Sequence, residues 1–133
     1  MKKPQKFSRV MIVDDNDLDV LILKHMLKVN NFSDSVITFN FPENAFFYLS
    51  ELHKNEASEK FPQIIFLDMN MPGMSGMEFI EKFNKAFSES VSSVCKIIGV
   101  SSGDAGKYKS ELSKFSNVSR FIAKPILDKD LNF

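Results

Sequence analysis

The sequence predicts a doubly wound α/β fold, in which a parallel β-sheet lies between two layers of helices. Short, unbroken apolar runs alternate with stretches of helical periodicity five times along the chain. Unbroken apolar runs are typical of strands that are buried on both faces. The five Gly and five Pro residues are spread along the chain and do not cluster in a linker. Strand–helix alternation of this kind implies a layered sheet with right-handed crossovers.

Five runs are predicted as strands. Four of them are continuous apolar segments and are expected to be buried on both faces: residues 10–13, 64–67, 97–100 and 121–123. The fifth, residues 35–39, is more polar and rich in β-branched side chains, which favours an edge strand.

The segments between the strands repeat apolar residues at three- and four-residue steps, as amphipathic helices do. In the first of them, the apolar stripe that predicts the buried face consists of Leu18, Leu21, Ile22, Met26 and Val29. Further helices are predicted over residues 45–52, 79–87 and, from a weaker pattern, 108–115. A fifth helix is expected to begin near Leu127, with barely two turns before Phe133.

Length, charge and cysteine content limit the classes of function. The chain has 133 residues, which is the size of one domain. Seventeen basic and seventeen acidic side chains leave no net charge, and therefore no global field for nucleic acid or an anionic membrane. The single Cys95 excludes a disulfide framework and a cysteine-based zinc site. Without a membrane-length apolar run or a signal-peptide core, we expect a cytoplasmic location.

Polar side chains follow four of the predicted strands, at the point where each strand ends. These side chains are Asp14 and Asp15, Asp68, Ser101, and Lys124. In an open α/β sheet, ligands bind outside the carboxyl ends of the strands, so all five are expected at one edge of the sheet. Each one alone would also fit a helix cap or a loop residue. Their conjunction favours a site.

Three carboxylates in one cleft need compensating positive charge. A pair of like charges about 4 Å apart costs about 4 kcal/mol at an effective dielectric constant of about 20. Lys124 would offset part of this cost, and a divalent cation the rest. Oxygen ligands alone suit Mg²⁺, which also uses phosphate oxygens. With a hydroxyl and an ammonium group beside the carboxylates, the set predicts a site that accepts a phosphoryl group.

The chain resembles the receiver domains of two-component response regulators, the CheY-like family. The resemblance is carried by VDDN at 13–16, IIFLDMNMPGMSG at 64–76, GVSS at 99–102 and AKP at 123–125. With the helical spacing it covers about residues 8–127 of a single receiver domain, 1–133. It implies a flavodoxin-like, five-stranded parallel sheet with strand order 2-1-3-4-5.

The resemblance also implies the residues of the phosphorylation site. Asp68 would accept a phosphoryl group from a sensor histidine kinase or a phosphotransfer protein. Asp14 and Asp15 would hold Mg²⁺, Asp15 more directly, and Asp68 and the backbone carbonyl of Asn70 would complete the protein ligands. Lys124 would pair with the acceptor carboxylate and with the incoming phosphoryl group.

A second set of implied residues concerns the response to phosphorylation. Ser101 would be the switch hydroxyl that bonds a phosphoryl oxygen, and it stands where the family often has Thr. Phe121 would be the aromatic side chain that turns inward as Ser101 moves. The Lys124–Pro125 peptide bond is expected to be cis. The repacked face, near the helix predicted over 108–115 and the last strand, would bind a downstream effector protein.

Receivers generally end in a full amphipathic helix, of which residues 127–133 supply only the beginning. The chain is therefore either a short stand-alone receiver or a fragment of a longer regulator, in which an output domain would follow. In either case the domain would catalyse only its own phosphorylation and dephosphorylation, and we do not expect a turnover enzyme.

Two other functions stay open. The first is a receiver-like interaction module that signals without phosphate; such modules usually lack one of the acidic, Ser or Lys residues. The second is a phosphatase of the haloacid-dehalogenase type, which also uses Asp and Mg²⁺. That class needs a second acid two residues after the nucleophile, where this chain has Asn70.

Overall fold

The computed structural model of the protein describes residues 5–87, 89–103 and 110–132. The elements follow one another as β1 (Val10–Val13), α1 (Asp17–Val29), β2 (Val36–Phe39), α2 (Pro42–Lys54), a 3₁₀ turn (Ser58–Lys60), β3 (Ile64–Asp68), α3 (Gly76–Ala86), α4 (Glu89–Val94), β4 (Lys96–Ser101), β5 (Val118–Ala123) and a second 3₁₀ turn (Asp128–Leu131).

The five strands form one parallel sheet with the order β2-β1-β3-β4-β5. This topology confirms the predicted fold class and strand order. The register aligns Val13 with Leu67, and Ser101 with Ala123, so the carboxyl ends of four strands lie at one edge of the sheet. The polar residues that follow these strands are thereby brought to the same edge.

The core has two halves, one on each face of the sheet. Side chains alternate between the faces along a strand. In β1, Val10 and Ile12 pack on the α1 side, whereas Met11 and Val13 pack on the opposite side, with α2 and α3. Because all four are buried, β1 is apolar without alternation, as the sequence predicted.

The predicted buried face of α1 is wrong. Four residues of the predicted stripe are at least half exposed: Leu18, Leu21, Ile22 and Val29. Leu23 and Leu27 are buried instead, with Val20 partly buried beside them. The helix is apolar around much of its circumference, so two overlapping stripes satisfy the same periodicity. Packing on the sheet selects between them, and periodicity alone does not.

The prediction for the last strand is also partly wrong. β5 begins at Val118 rather than at Phe121, and Ile122 is its buried residue. The strand lies at the edge of the sheet beside β4, and its other five residues are partly buried or exposed. β2 occupies the other edge, as its polar sequence predicted, and its four residues are partly buried.

The helical predictions after α3 have mixed outcomes. The six-residue helix α4 was not predicted. The helix predicted over 108–115 falls partly on residues 104–109, which lie outside the described residues, and residues 110–112 are helical. The prediction of a fifth α-helix near Leu127 is wrong. The segment forms a 3₁₀ turn, in which the backbone N–H of Asp130 donates to the carbonyl of Leu127. Bonds between residues three apart define this tighter turn.

Within the described parts of the chain, no helix has the length and apolar character that crossing a membrane requires.

Candidate functional site

The edge of the sheet formed by the strand ends carries a cluster of three carboxylates. Asp14, Asp15 and Asp68 each place a carboxylate oxygen within 4.8 Å of the others. Asp14 and Asp68 are buried, whereas Asp15 is exposed to solvent. The structure therefore brings together the three acids that the sequence predicted for one site.

The loop between β1 and α1 is held in shape by short-range hydrogen bonds. The Asp14 carboxylate accepts a hydrogen bond from the backbone N–H of Asn16 (2.9 Å). The Asn16 side chain in turn caps α1 by accepting from the backbone N–H of Asp19 (2.9 Å). From the next loop, the Asn40 amide donates to the Asp14 carbonyl (3.1 Å) and to the Asp17 carboxylate (2.9 Å).

The loop after β3 positions Asp68. The backbone N–H of Asn70 donates to the Asp68 carboxylate (3.0 Å), and the N–H of Gly76 donates to the Met69 carbonyl (3.2 Å). A Cβ atom on Gly76 would lie 2.7 Å from the Met69 Cα atom, so this close approach requires glycine. A capping box between Ser75 and Glu78 begins α3 directly after the loop.

Lys124 places its ammonium group among the carboxylates. Its Nζ atom lies 3.1 Å from Asp14 and 3.6 Å from Asp68. A closer carboxylate, at 2.7 Å, belongs to Asp19 in the first turn of α1. The backbone N–H of Lys124 donates to the Ser101 carbonyl (2.8 Å), and the Lys124–Pro125 peptide bond is cis, as predicted.

The charges of the cluster are poorly balanced at Asp68. Burial raises the pKa of Asp68 from its ordinary 3.8 to about 6; the N–H of Asn70 acts against this shift, and the charge of Asp14 adds to it. Burial alone would lower the pKa of Lys124, but hydrogen bonds to Asp19 and Asp14 and the nearby acidic charges hold it above its usual value. The Lys124 ammonium group is therefore shared among several carboxylates, and a bound cation would stabilise the ionised carboxylate of Asp68.

The hydroxyl of Ser101 faces the same edge. Its oxygen accepts hydrogen bonds from the side-chain amide of Asn70 (3.2 Å) and from the backbone N–H of Gly103 (3.1 Å). Ser101 is almost fully buried. Phe121 lies on the neighbouring strand β5 and is partly buried. It pairs with Gly99, two residues before Ser101 on β4.

Comparison with protein families decides what kind of domain this is. The family model described as the response regulator receiver domain matches residues 10–132. The chain belongs to the response regulator receiver family. As a receiver domain, it is a component of two-component signalling, in which such domains act as switches rather than as ordinary enzymes.

Solved structures similar to this receiver share its fold over most of their length. A two-component response regulator from Cytophaga hutchinsonii has a TM-score of 0.85 and 23% identity, with 96% of this chain and 93% of that chain covered. The chemotaxis protein CheY4 of Vibrio cholerae has a TM-score of 0.71 and 22% identity, with 93% and 92% covered. The receiver domain of the histidine kinase CKI1 from Arabidopsis thaliana, crystallised with Mg²⁺ and BeF₃⁻, has a TM-score of 0.72 and 24% identity, with 88% and 80% covered. A search of curated proteins finds no match.

The receiver's acidic cluster fits a hard divalent cation. Its donors are carboxylate oxygens from Asp14, Asp15 and Asp68, and within the described part of the chain no nitrogen or sulfur ligand belongs to the cluster. Oxygen ligands match the preference of Mg²⁺.

Some residues of the receiver's site were missed by reasoning from the sequence. Neither Asp19 nor Asn40 was assigned a role from the sequence. The side chain of Asn70 was also missed, since only its carbonyl was predicted to take part.

Proposed function

We propose that this receiver domain is a phosphorylation-driven switch in which Asp68 accepts the phosphoryl group in a Mg²⁺-dependent reaction. The observation that carries the proposal is the buried Asp68 carboxylate, which has two further carboxylates within 4.8 Å and an ammonium group at 3.6 Å. A sensor histidine kinase or a phosphotransfer protein would donate the group. The site of action would be the cytoplasm.

The proposed metal ligands are the carboxylates of Asp14, Asp15 and Asp68 and the backbone carbonyl of Asn70. Bound there, Mg²⁺ would neutralise the negative charge on the oxygens of the transferring phosphoryl group. The similar Arabidopsis receiver domain was crystallised with Mg²⁺ and BeF₃⁻.

In the proposed reaction, an oxygen of the Asp68 carboxylate attacks the phosphorus atom of the donor. A new O–P bond forms as the bond between phosphorus and the donor atom breaks, and the donor atom keeps the electron pair. Lys124 is placed to compensate the charge that gathers around Asp68. Attack by water on the phosphorus atom later returns Asp68 to its carboxylate form and releases inorganic phosphate.

The proposed response begins at Ser101. Its hydroxyl oxygen is bonded to Asn70 and Gly103 in the resting structure. Turning toward a phosphoryl oxygen on Asp68 would release these bonds, and Phe121 on β5 would repack with it. The changed face at β5 would then bind an effector protein or an output domain.

The structure gives less support to the two other functions. A dehalogenase-type phosphatase would need an acid at Asn70, whose side-chain amide instead donates to Ser101. A module that works without phosphate would not need the acids, Ser101 and Lys124 together, and this receiver has all of them.

Intact mass after incubation with acetyl phosphate tests the proposal. We expect one phosphoryl adduct per chain that requires Mg²⁺ and is absent from Asp68→Asn, while the control Asp34→Asn, at an exposed position away from the site, keeps it. If acetyl phosphate yields no adduct, the test is repeated with a histidine kinase as donor. Absence of an adduct with both donors would contradict the proposal and favour the phosphate-independent module.

A further inference from the structure

The nearest carboxylate to the Lys124 ammonium, among the described residues, is that of Asp19. The Nζ–Oδ2 distance is 2.7 Å to Asp19 and 3.6 Å to Asp68. The first distance is that of a charge-assisted hydrogen bond, whereas the second is too long for one. Lys124 is therefore hydrogen-bonded to α1 through Asp19, and to Asp14 at 3.1 Å, in the resting structure and only lies near the proposed acceptor.

Asp19 is well placed to hold Lys124 and also to release it. Its backbone N–H is fixed by the Asn16 side chain at the start of α1. The side chain of Asp19 is 37% exposed. Asp14 also lies within hydrogen-bonding distance of Lys124, but its side chain is only 9% exposed. An ion pair with an exposed partner is inexpensive to break, because water solvates the freed carboxylate.

We propose that Asp19 is a positioning residue for phosphoryl transfer, which holds the Lys124 ammonium away from Asp68 until a phosphoryl group arrives. The inference rests on the proposed function of Asp68. In this proposal, the Lys124–Asp19 hydrogen bond lengthens as the ammonium moves toward a phosphoryl oxygen on Asp68. Asp19 thus weakens the binding of a phosphoryl group by the resting site, and it does so through Lys124.

Binding of beryllofluoride in the presence of Mg²⁺ measures this effect. In Asp19→Asn, we expect beryllofluoride to bind about threefold to tenfold more tightly than in the wild-type protein. Asp17→Asn is the matched control: it removes the same charge from the same helical turn, its amide oxygen can still accept the hydrogen bond from Asn40, and Asp17 bonds to Asn40 rather than to Lys124. We expect the beryllofluoride affinity of the control to stay within about twofold of that of the wild type. An equal increase in affinity in both variants would overturn the proposal.

A double-mutant cycle separates positioning from the charge of Asp19 itself. In a Lys124→Met background, the gain from Asp19→Asn should fall below about twofold, because the group that Asp19 holds is gone. A gain that persists in that background would overturn the proposal. It would show that Asp19 acts on the anion directly.

The side-chain ammonium signal of Lys124 in ¹⁵N NMR tests the contact without phosphate. We expect Asp19→Asn to shift this signal or to speed the exchange of its protons, whereas Asp17→Asn leaves it unchanged. An unchanged Lys124 signal in Asp19→Asn overturns the inference. This test remains available if Lys124→Met binds beryllofluoride too weakly for the double-mutant cycle to be measured. If the wild-type chain forms no adduct on Asp68, the proposed function fails, and this signal still decides whether Asp19 holds Lys124.

Discussion

Gly99 and Phe121 are partners across β4 and β5, and the Phe121 ring occupies the space that a side chain on Gly99 would fill. A Cβ atom at position 99 would lie 2.5 Å and 2.7 Å from two ring carbons of Phe121 and 3.2 Å from the Met69 sulfur. The glycine thus allows the partly buried ring to pack over β4 in this structure. In the proposed switch, this is the side chain that repacks.

Replacing Gly99 with alanine should displace the ring. For Gly99→Ala we expect a loss of about 1–3 kcal/mol in the free energy of unfolding, since overpacking forces side chains from their preferred positions. Urea unfolding measures the loss, and NMR contacts between the ring and residue 99 report its position. In Phe121→Leu, whose side chain is smaller, the added alanine should cost less. A Gly99→Ala variant with unchanged stability and an unmoved ring would contradict this packing.

At the scale of single residues, motif spacing predicted the acids, the hydroxyl and the lysine of the site but not their partners. Asp14, Asp68 and Lys124 follow apolar runs, and strand ends meet at one edge in any parallel sheet of this order. The pairing of Lys124 with Asp19 depends on which way α1 presents its first turn. That orientation is a result of packing, and the sequence carries no period that reports it.

At the scale of elements, α1 shows why its buried face was mispredicted. The helix offers apolar residues on several sides, and the sheet accepts the side that contains Leu23 and Leu27. The strands β1 and β3 were easier to predict because they are buried on both faces. Every residue in them is apolar or buried, so the prediction does not depend on which residues face which side of the sheet. β5 was less predictable, since its position at an edge depends on strand order.

Two leucines of α1 test which face is buried. Leu23 is 6% exposed and Leu21 is 65% exposed. We expect Leu23→Ala to lower the free energy of unfolding by about 2–5 kcal/mol, because it leaves a cavity against the sheet. Leu21→Ala, the matched control, should change it by less than about 0.5 kcal/mol. Denaturant unfolding compares the two variants, and a loss in Leu21→Ala as large as that in Leu23→Ala would contradict the buried face described here.

At the scale of the whole molecule, the acidic cluster links stability to pH and to cation binding. The pKa of Asp68 is raised by burial from 3.8 to about 6, so the folded protein holds this proton more tightly than the unfolded chain does. The stabilisation that the proton provides is complete below about pH 4 and is lost as the pH rises through about 6.

Asp68→Asn should therefore stabilise the protein when no divalent cation is present. At pH 7 we expect a gain of about 1–3 kcal/mol in the free energy of unfolding, and a smaller fall in stability between pH 4 and pH 6 than in the wild type. Added Mg²⁺ should stabilise the wild type more than the variant. Chemical unfolding across this pH range provides the measurement, and a variant that is less stable than wild type at pH 7 would contradict the charge imbalance at Asp68.

The whole fold was more predictable than the end of the chain. Fold class and strand order follow from buried strands that alternate with helices, and the structure confirms both. A helix was expected to begin near Leu127, yet hydrogen bonds between residues three apart give this segment a single 3₁₀ turn. Such local hydrogen-bond choices leave no apolar period in the sequence.

The central claim is that Asp68 is the residue that accepts the phosphoryl group. Borohydride reduction of the protein, after incubation with acetyl phosphate and Mg²⁺, converts an aspartyl phosphate to homoserine, which peptide mass spectrometry then locates. We predict homoserine at position 68, dependent on Mg²⁺ and on acetyl phosphate. Homoserine at Asp14 or Asp15 instead, or at no position although an intact-mass adduct forms, would contradict the claim.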